Sequence, residues 1–249
     1  MKSTAANGLS MSIADNIAQV QQQIAAACRR AGRQPEDVQL MAVSKLHPAE
    51  QIVEAYAAGQ RLFGENRVQE FAAKQPALAA AGIFSGDAPA KFHLIGPLQS
   101  NKAARAAQLL DAIDSVDSLR VAEKLNLAAA KADKPLPVLL EIKLSPEDSK
   151  HGLLPESPEL TAVLEHASGW PHLRICGLMT VPPYADDLEQ VRPYFRRLCQ
   201  LRDTLAQRHA QLSLNQLSMG MSHDFSVAIE EGSTCVRIGT AIFGAREAL

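Results

Sequence analysis

The chain has 249 residues, of which 47% are hydrophobic and 4% aromatic, and its formal net charge at pH 7 is -2. This length suits one large core, and the small net charge gives no reason to expect a nucleic acid or an anionic membrane as a partner. No apolar run approaches the roughly 18 residues of a membrane span and no secretion signal precedes the first helix, so we expect a cytoplasmic protein.

Apolar residues at helical spacing predict an N-terminal helix over residues 12–31, preceded by a disordered tail over 1–11. From there, short β-prone segments alternate with helical ones. The predicted strands cover 38–44, 61–65, 92–96, 112–117, 138–144, 174–180, 214–220 and 235–240. The predicted helices between them cover 48–59, 66–74, 99–110, 118–132, 158–168, 188–205 and 224–232.

Eight strand–helix repeats in this length favour an α/β fold with a parallel sheet closed into a single (β/α)8 TIM barrel. An open, doubly wound sheet is the alternative architecture. No linker divides the chain, so residues 12–249 are expected to form one domain, with 80–91 as a surface insertion. Gly59 and Gly232, each between a helix and a strand, are expected to end those helices in the left-handed conformation.

Unusual residues follow the predicted strands, where a barrel of this kind carries its functional groups. Lys45 follows the first strand and Asn66 the second. Ser222 follows the seventh strand, where its expected local role is to cap the next helix. Gly239 and Thr240 follow the eighth strand, so the last two loops could hold one phosphate between them through backbone N–H groups.

Arg237 lies inside the eighth strand, where burial of an unpaired guanidinium would be costly. A lysine amine, a phosphate-binding loop pair and this arginine together suit a ligand with an aldehyde and a phosphate, such as pyridoxal 5′-phosphate (PLP). The alternatives are a turn lysine at 45, a salt bridge of Arg237 with Glu141 or Glu65, or a barrel that binds another phosphate ester without covalent attachment.

Six stretches resemble one known family, the pyridoxal phosphate homeostasis proteins, also called the PLP-binding protein family. They are LMAVSK, LFGENRVQE, FHLIGPLQSNK, GLMTVPP, LSMGMSHDFSVAI and GSTCVRIGTAIFG, and the similarity runs from about residue 12 to residue 247. This family resembles the barrel domain of alanine racemase, which is PLP fold type III.

The resemblance implies a role for each of several residues. Lys45 would be the Schiff-base lysine, and Arg237 would face the pyridine nitrogen, with Asn66 near the ring and Met179 behind its face. The phosphate would be held by Ser222, Gly239, Thr240 and the backbone of Met221.

The resemblance also implies a carrier that serves intracellular vitamin B6 homeostasis and delivers PLP to PLP-dependent apo-enzymes. A racemase of this fold carries an added β-rich domain and uses a tyrosine from the partner subunit as its second acid/base, and only Lys45 is evident here. We therefore expect a non-catalytic monomer, with a low-activity PLP-dependent amino-acid racemase as the alternative. The loop with Lys150 is expected to carry a solvated lysine.

Other motifs favour ordinary structural roles. The histidines have no metal-ligand spacing, so no metal is expected, and His93 is expected to be a hydrogen-bonded core histidine. The four cysteines are far apart and lie in apolar segments, which predicts reduced thiols.

Overall fold

Eight parallel strands form a closed barrel in chain order, and the first strand pairs with the eighth. This computed structural model describes residues 11–145, 147 and 151–245. The closed barrel confirms the predicted fold and rules out the open sheet, because an open sheet would leave the first and last strands unpaired with each other. The strands are β1 Gln39–Val43, β2 Leu62–Glu65, β3 Lys91–Leu94, β4 Ala112–Val116, β5 Leu136–Glu141, β6 Leu173–Met179, β7 Gln216–Met221 and β8 Cys235–Ile238.

Helices surround the barrel, and one of them precedes the first strand. Their bounds are α1 Ile13–Arg30, α2 Ala49–Ala57, α3 Val68–Ala80, α4 Ala103–Leu109, α5 Leu119–Lys131, α6 Pro158–His166, α7 Arg192–Arg208, α8 Phe225–Glu230 and α9 Thr240–Phe243. Ser12 caps α1 through a reciprocal hydrogen-bond pair with Asp15, so the predicted N-terminal helix is confirmed. The tail predicted for residues 1–11 lies outside the described residues apart from Met11, and Lys150, expected to be a solvated lysine, lies outside them too.

Several predicted boundaries differ from the structure, and three of them have a visible local cause or consequence. Helix α3 continues through Pro76 to Ala80, because Leu78 beyond the proline is fully buried and keeps the helix on the barrel. Helix α7 begins only at Arg192, after a 3-10 turn over Leu188–Gln190. Strand β5 ends at Glu141, three residues earlier than predicted, and Ile142 pairs with Leu153 in an isolated bridge.

The main core lies between the barrel and the helices. Phe92 on β3 stacks with Phe63 on β2 at a ring-centroid distance of 5.1 Å and with Phe71 on α3 at 4.6 Å. All three rings are fully buried, which fixes α3 against the outside of β2 and β3. This packing places the polar residues of α3 behind the turn that carries Lys45.

Several local predictions are confirmed. Gly59 and Gly232 have φ angles of 95° and 101°, the left-handed conformation expected at the two helix ends. All four cysteines are thiols, three of them buried. Residues 81–88 form surface turns, although Ile83 within them is buried. None of the described helices is long and apolar enough to cross a membrane.

Candidate functional site

One cavity of about 430 Å³ opens at the carboxyl ends of the strands. Seven of the eight predicted site residues line it: Lys45, Asn66, Met221, Ser222, Arg237, Gly239 and Thr240. Met179 does not line the cavity, because its side chain is fully buried in a small cluster with Leu139 and Cys176. The loops after β1, β2, β7 and β8 therefore meet as the strand-end argument requires.

Lys45 reaches the cavity because of strand alternation and a sharp turn. Val43 on β1 and Lys45 lie on the same face and both line the cavity, whereas Ser44 between them is buried on the other face. The Ser44 hydroxyl donates a hydrogen bond of 2.7 Å to the Glu65 carboxylate. Leu46 then adopts a φ of 63°, which is uncommon for a leucine and reverses the chain before α2.

A tight turn between β7 and α8 shapes the loop that carries Ser222. The Met221 N–H donates to Asp224 Oδ1 at 2.6 Å, and the Asp224 N–H donates to the Met221 carbonyl at 3.1 Å. Burial raises the pKa of Asp224, and the hydrogen bond from Met221 opposes that shift. Asp224, not Ser222, occupies the N-cap position of α8, so the predicted capping role of Ser222 is wrong.

The same turn requires a glycine at position 220. Gly220 has a φ of 94°, and a Cβ there would lie 2.6 Å from the Ala228 Cβ of α8. A larger residue would push α8 away from β7. Gly220 thus brings the α8 end of the loop close to the barrel rim.

Two neighbouring groups at this rim have donors available to a ligand. Within the described part of the chain, neither Ser222 nor Thr240 donates a hydrogen bond through its backbone N–H or its hydroxyl. Both residues line the cavity, one after β7 and the other after β8. Hydroxyl and backbone N–H donors from adjacent loops suit the oxygens of a phosphate group.

Arg237 lies in the cavity wall and is only 4% exposed. Its Nη1 donates to the Ser218 hydroxyl and its Nη2 to the Thr180 carbonyl, both at 2.8 Å. Burial lowers the pKa of Arg237, although an arginine stays charged at neutral pH. The alternative of a salt bridge is not found, because Arg237 forms no ion pair with the described carboxylates of Glu141 or Glu65.

Sequence reasoning missed several groups that line the cavity. Three are imidazoles, those of His47, His151 and His223, and Glu141 was considered only as an ion-pair partner. His47 stacks on Phe243 at 4.8 Å and His223 stacks on Tyr184 at 5.3 Å. The available signal was position, since His47 follows Lys45 by two residues and His223 directly follows Ser222.

His93 lies at the other end of the barrel, near the amino ends of the strands. Its Nδ1 is 3.1 Å from Asp114 Oδ1, which confirms a hydrogen-bonded histidine. Burial alone would lower the pKa of His93, but the Asp114 carboxylate outweighs it and raises that pKa. Among the described residues, no group of three or more acidic, histidine or cysteine side chains could hold a metal ion.

Comparisons with known proteins agree with this architecture. The family model described as "Alanine racemase, N-terminal domain" matches residues 15–247. An alanine racemase from Clostridium difficile superposes with a TM-score of 0.67 at 16% identity, over 94% of this chain and 58% of that one, which shows the shared fold. The closed barrel with a lysine at the mouth of its first strand thus defines an alanine-racemase-type barrel.

Relatives with higher sequence identity show to which family of such barrels the chain belongs. The pyridoxal phosphate homeostasis protein of Aquifex aeolicus is 42% identical over 237 residues, 95% of this chain and 100% of the relative. The protein of the same name from Escherichia coli is 44% identical over 238 residues, 94% and 97% of the two chains. The chain belongs to the pyridoxal phosphate homeostasis protein family.

Solved structures of one relative cover the whole barrel. PipY of Synechococcus elongatus is 40% identical and superposes with a TM-score of 0.82, over 94% of this chain and all of PipY. It has been solved both without PLP and with PLP bound. The likeness therefore extends to a protein that has been solved with PLP bound.

Proposed function

We propose that this protein binds PLP in the cavity at the carboxyl end of the barrel, carries it as a Schiff base on Lys45 and takes part in vitamin B6 homeostasis. The observation that carries the proposal is the convergence of Lys45, Arg237, Ser222 and Thr240 on one cavity of about 430 Å³. PLP binding by PipY and the names of the relatives support the same cofactor.

The donor set suits each part of the cofactor. The Lys45 amine suits the aldehyde, with which a primary amine condenses to a C=N bond with loss of one water. Ser222 and Thr240 would hold the phosphate, together with the backbone at Gly239. The Met221 N–H, also expected there from the resemblance, is already bonded to Asp224 Oδ1. Asn66 would lie beside the ring, and Met179 would support that end of the barrel from the buried cluster below.

Arg237 would face the pyridine nitrogen. Two of its guanidinium N–H groups bond to Ser218 and Thr180, and the planar guanidinium has five in all. Because an arginine only donates, it favours an unprotonated ring nitrogen, which withdraws electrons less strongly. This argues against a broad aminotransferase-like activity, but it does not separate a carrier from a racemase, because racemases of this fold carry an arginine there too.

We infer a non-catalytic cytoplasmic monomer that supplies PLP-dependent apo-enzymes. The names of the relatives, which describe homeostasis, support this role. A low-activity amino-acid racemase is the second candidate. The observation that favours it is the set of imidazoles on the cavity wall, because His151 or His223 could act as a second acid/base.

A visible absorption titration with PLP tests the proposal. We expect the protein to gain an imine band that saturates, and Lys45→Ala to bind without that band. Lys124→Ala, an exposed lysine on α5, serves as the control and should match the wild type. A wild-type protein with no imine band would contradict the proposal, and racemisation that requires Lys45 would favour the second candidate.

A further inference from the structure

An ion cluster on the outer face of the barrel lies directly behind Lys45. The Lys74 ammonium on α3 is 2.9 Å from Glu65 Oε1 on β2 and 2.7 Å from Glu70 Oε1 on α3. The Lys74 side chain is 12% exposed and that of Glu65 fully buried. None of the three residues lines the cofactor cavity.

This cluster holds the two peptide groups that flank Lys45. Lys74 Nζ donates to the Ser44 carbonyl at 2.9 Å, which fixes the peptide on the amino side. The Leu46 N–H donates to Glu70 Oε1, which fixes the peptide on the carboxyl side. Charged partners make hydrogen bonds of this kind stronger than those between neutral groups.

The turn needs such support, because Leu46 has a φ of 63°. A leucine in that conformation costs on the order of 1 kcal/mol or more, and such residues persist where the surrounding contacts enforce them. The Ser44 hydroxyl bond to Glu65 ties the same turn to β2. Apart from backbone ladder and turn bonds and a long bond of 3.5 Å from the Ser44 hydroxyl to the Gly64 carbonyl, the hydrogen bonds of Ser44 and Leu46 lead to Lys74 or its two carboxylate partners.

Glu65 is the member of the cluster whose burial is least compensated by hydrogen bonds. Its Oε2 is buried and lacks a hydrogen-bond partner among the described residues. Burial raises the pKa of Glu65, and Lys74 opposes that shift. A buried carboxylate with one unsatisfied oxygen is costly for a purely structural contact, which favours a role in the nearby site.

We propose that Lys74 is a positioning residue for cofactor attachment: with Glu65 and Glu70 it clamps the Ser44 and Leu46 peptides so that the Lys45 amine enters the cavity at the height of the aldehyde. The inference rests on the proposed function of Lys45. It predicts that a change about two helical turns into α3, outside the cavity, slows covalent attachment of PLP.

The test compares Lys74→Met with Lys74→Arg and with Lys124→Met, a matched change on exposed α5. Stopped-flow mixing with PLP measures the rate at which the imine band forms, and visible circular dichroism reports how the bound ring is held. We expect Lys74→Met to form the band about tenfold more slowly than the wild type, with altered visible dichroism per bound cofactor. Lys74→Arg should recover most of the rate, and Lys124→Met should match the wild type.

Loss of Lys74 alone leaves Glu65 without its counter-charge, so the fold could suffer. The double variant Glu65→Gln, Lys74→Met removes both charges and should fold, yet it still lacks the donor to the Ser44 carbonyl. It should therefore attach PLP as slowly as Lys74→Met. Far-ultraviolet circular dichroism at the assay temperature establishes that each protein is folded.

The two proposals fail in different ways. If the wild-type protein forms no imine band, the proposed function fails and the positioning role falls with it. If the wild type forms the band and the folded double variant forms it at the same rate with the same dichroism, only the positioning role of Lys74 is overturned.

Discussion

Arg237 shows how a single buried charge shapes the site. Its guanidinium lies in the cavity wall, where a donor without a partner would be costly, and Ser218 and Thr180 supply the acceptors. Cys235, two residues away, is also buried, and this burial raises its pKa to about 12, so the thiol stays protonated at neutral pH. Arg237 is thus a charged side chain that two hydrogen bonds fix in the cavity wall, and the nearby Cys235 thiol is unreactive.

His93 and Asp114 form a pair at the opposite mouth of the barrel. This pair predicts that the stability of the protein depends on pH. The pKa of His93 is raised in the folded state. The contribution of the pair to the free energy of unfolding is therefore fully present below about pH 6.5, the pKa of a histidine in the unfolded chain. The contribution is lost as the pH rises through the higher pKa that His93 has in the folded protein.

We expect the stability difference between wild type and His93→Asn to be large at pH 6 and to shrink by pH 9. Chemical denaturation across that range measures it, with His166→Asn on the exposed face of α6 as the control. A difference that stays constant, or that grows with pH, would show that the pair does not carry a proton in the folded state.

Among the elements, the β2–α3 and β3–α4 loops depend on each other. Gly96 follows β3, and a Cβ at this position would lie 2.4 Å from the Asn66 carbonyl oxygen and 2.9 Å from its Cα. Both are backbone atoms, so they cannot move aside as a flexible side chain would. The close approach of the two loops places Asn66 at the cavity.

Gly96→Ala is therefore expected to lower the free energy of unfolding by about 1–3 kcal/mol. It should also weaken PLP binding, since the displaced backbone carries Asn66 with it. Denaturant titration and the absorption titration with PLP measure the two effects. Gly169→Ala, where an added Cβ has no heavy atom within 4 Å, is the matched control. Equal stability of the two variants would contradict this account of the loop.

The order of elements could be predicted because each strand and helix carries its own apolar period. The ends were less predictable, since they depend on packing: α3 passes Pro76 because Leu78 is buried beyond it. The ends of the strands also held the predicted chemistry, which is why Lys45, Asn66 and Ser222 were found together.

The parts of the site that escaped prediction depend on three-dimensional contacts. The Lys74 cluster joins β1, β2 and α3 across 30 residues of sequence between Ser44 and Lys74. His151 enters the cavity from a long loop, where no strand period gives its direction. Met179 was placed at the cofactor by its motif, whereas its side chain lies in a buried cluster with Leu139 and Cys176.

In the molecule as a whole, the groups that could bind a ligand and the groups that support the Lys45 turn lie in different layers. Its carboxyl end collects the groups that suit PLP, and the outer layer of α3 supports the lysine turn from behind. The relative from Aquifex aeolicus and PipY match 95% and 94% of the chain, so the likeness extends over nearly all of it.

Peptide mapping after borohydride reduction tests the proposed attachment of PLP to Lys45. The protein is saturated with PLP, reduced, digested and analysed by mass spectrometry, with Lys45→Ala treated in parallel. If Lys45 carries the cofactor, we expect one pyridoxyl phosphate group per chain, on the peptide that contains Lys45. The corresponding peptide of the variant should carry none. Modification confined to another lysine, or no modification at all, would contradict this attachment.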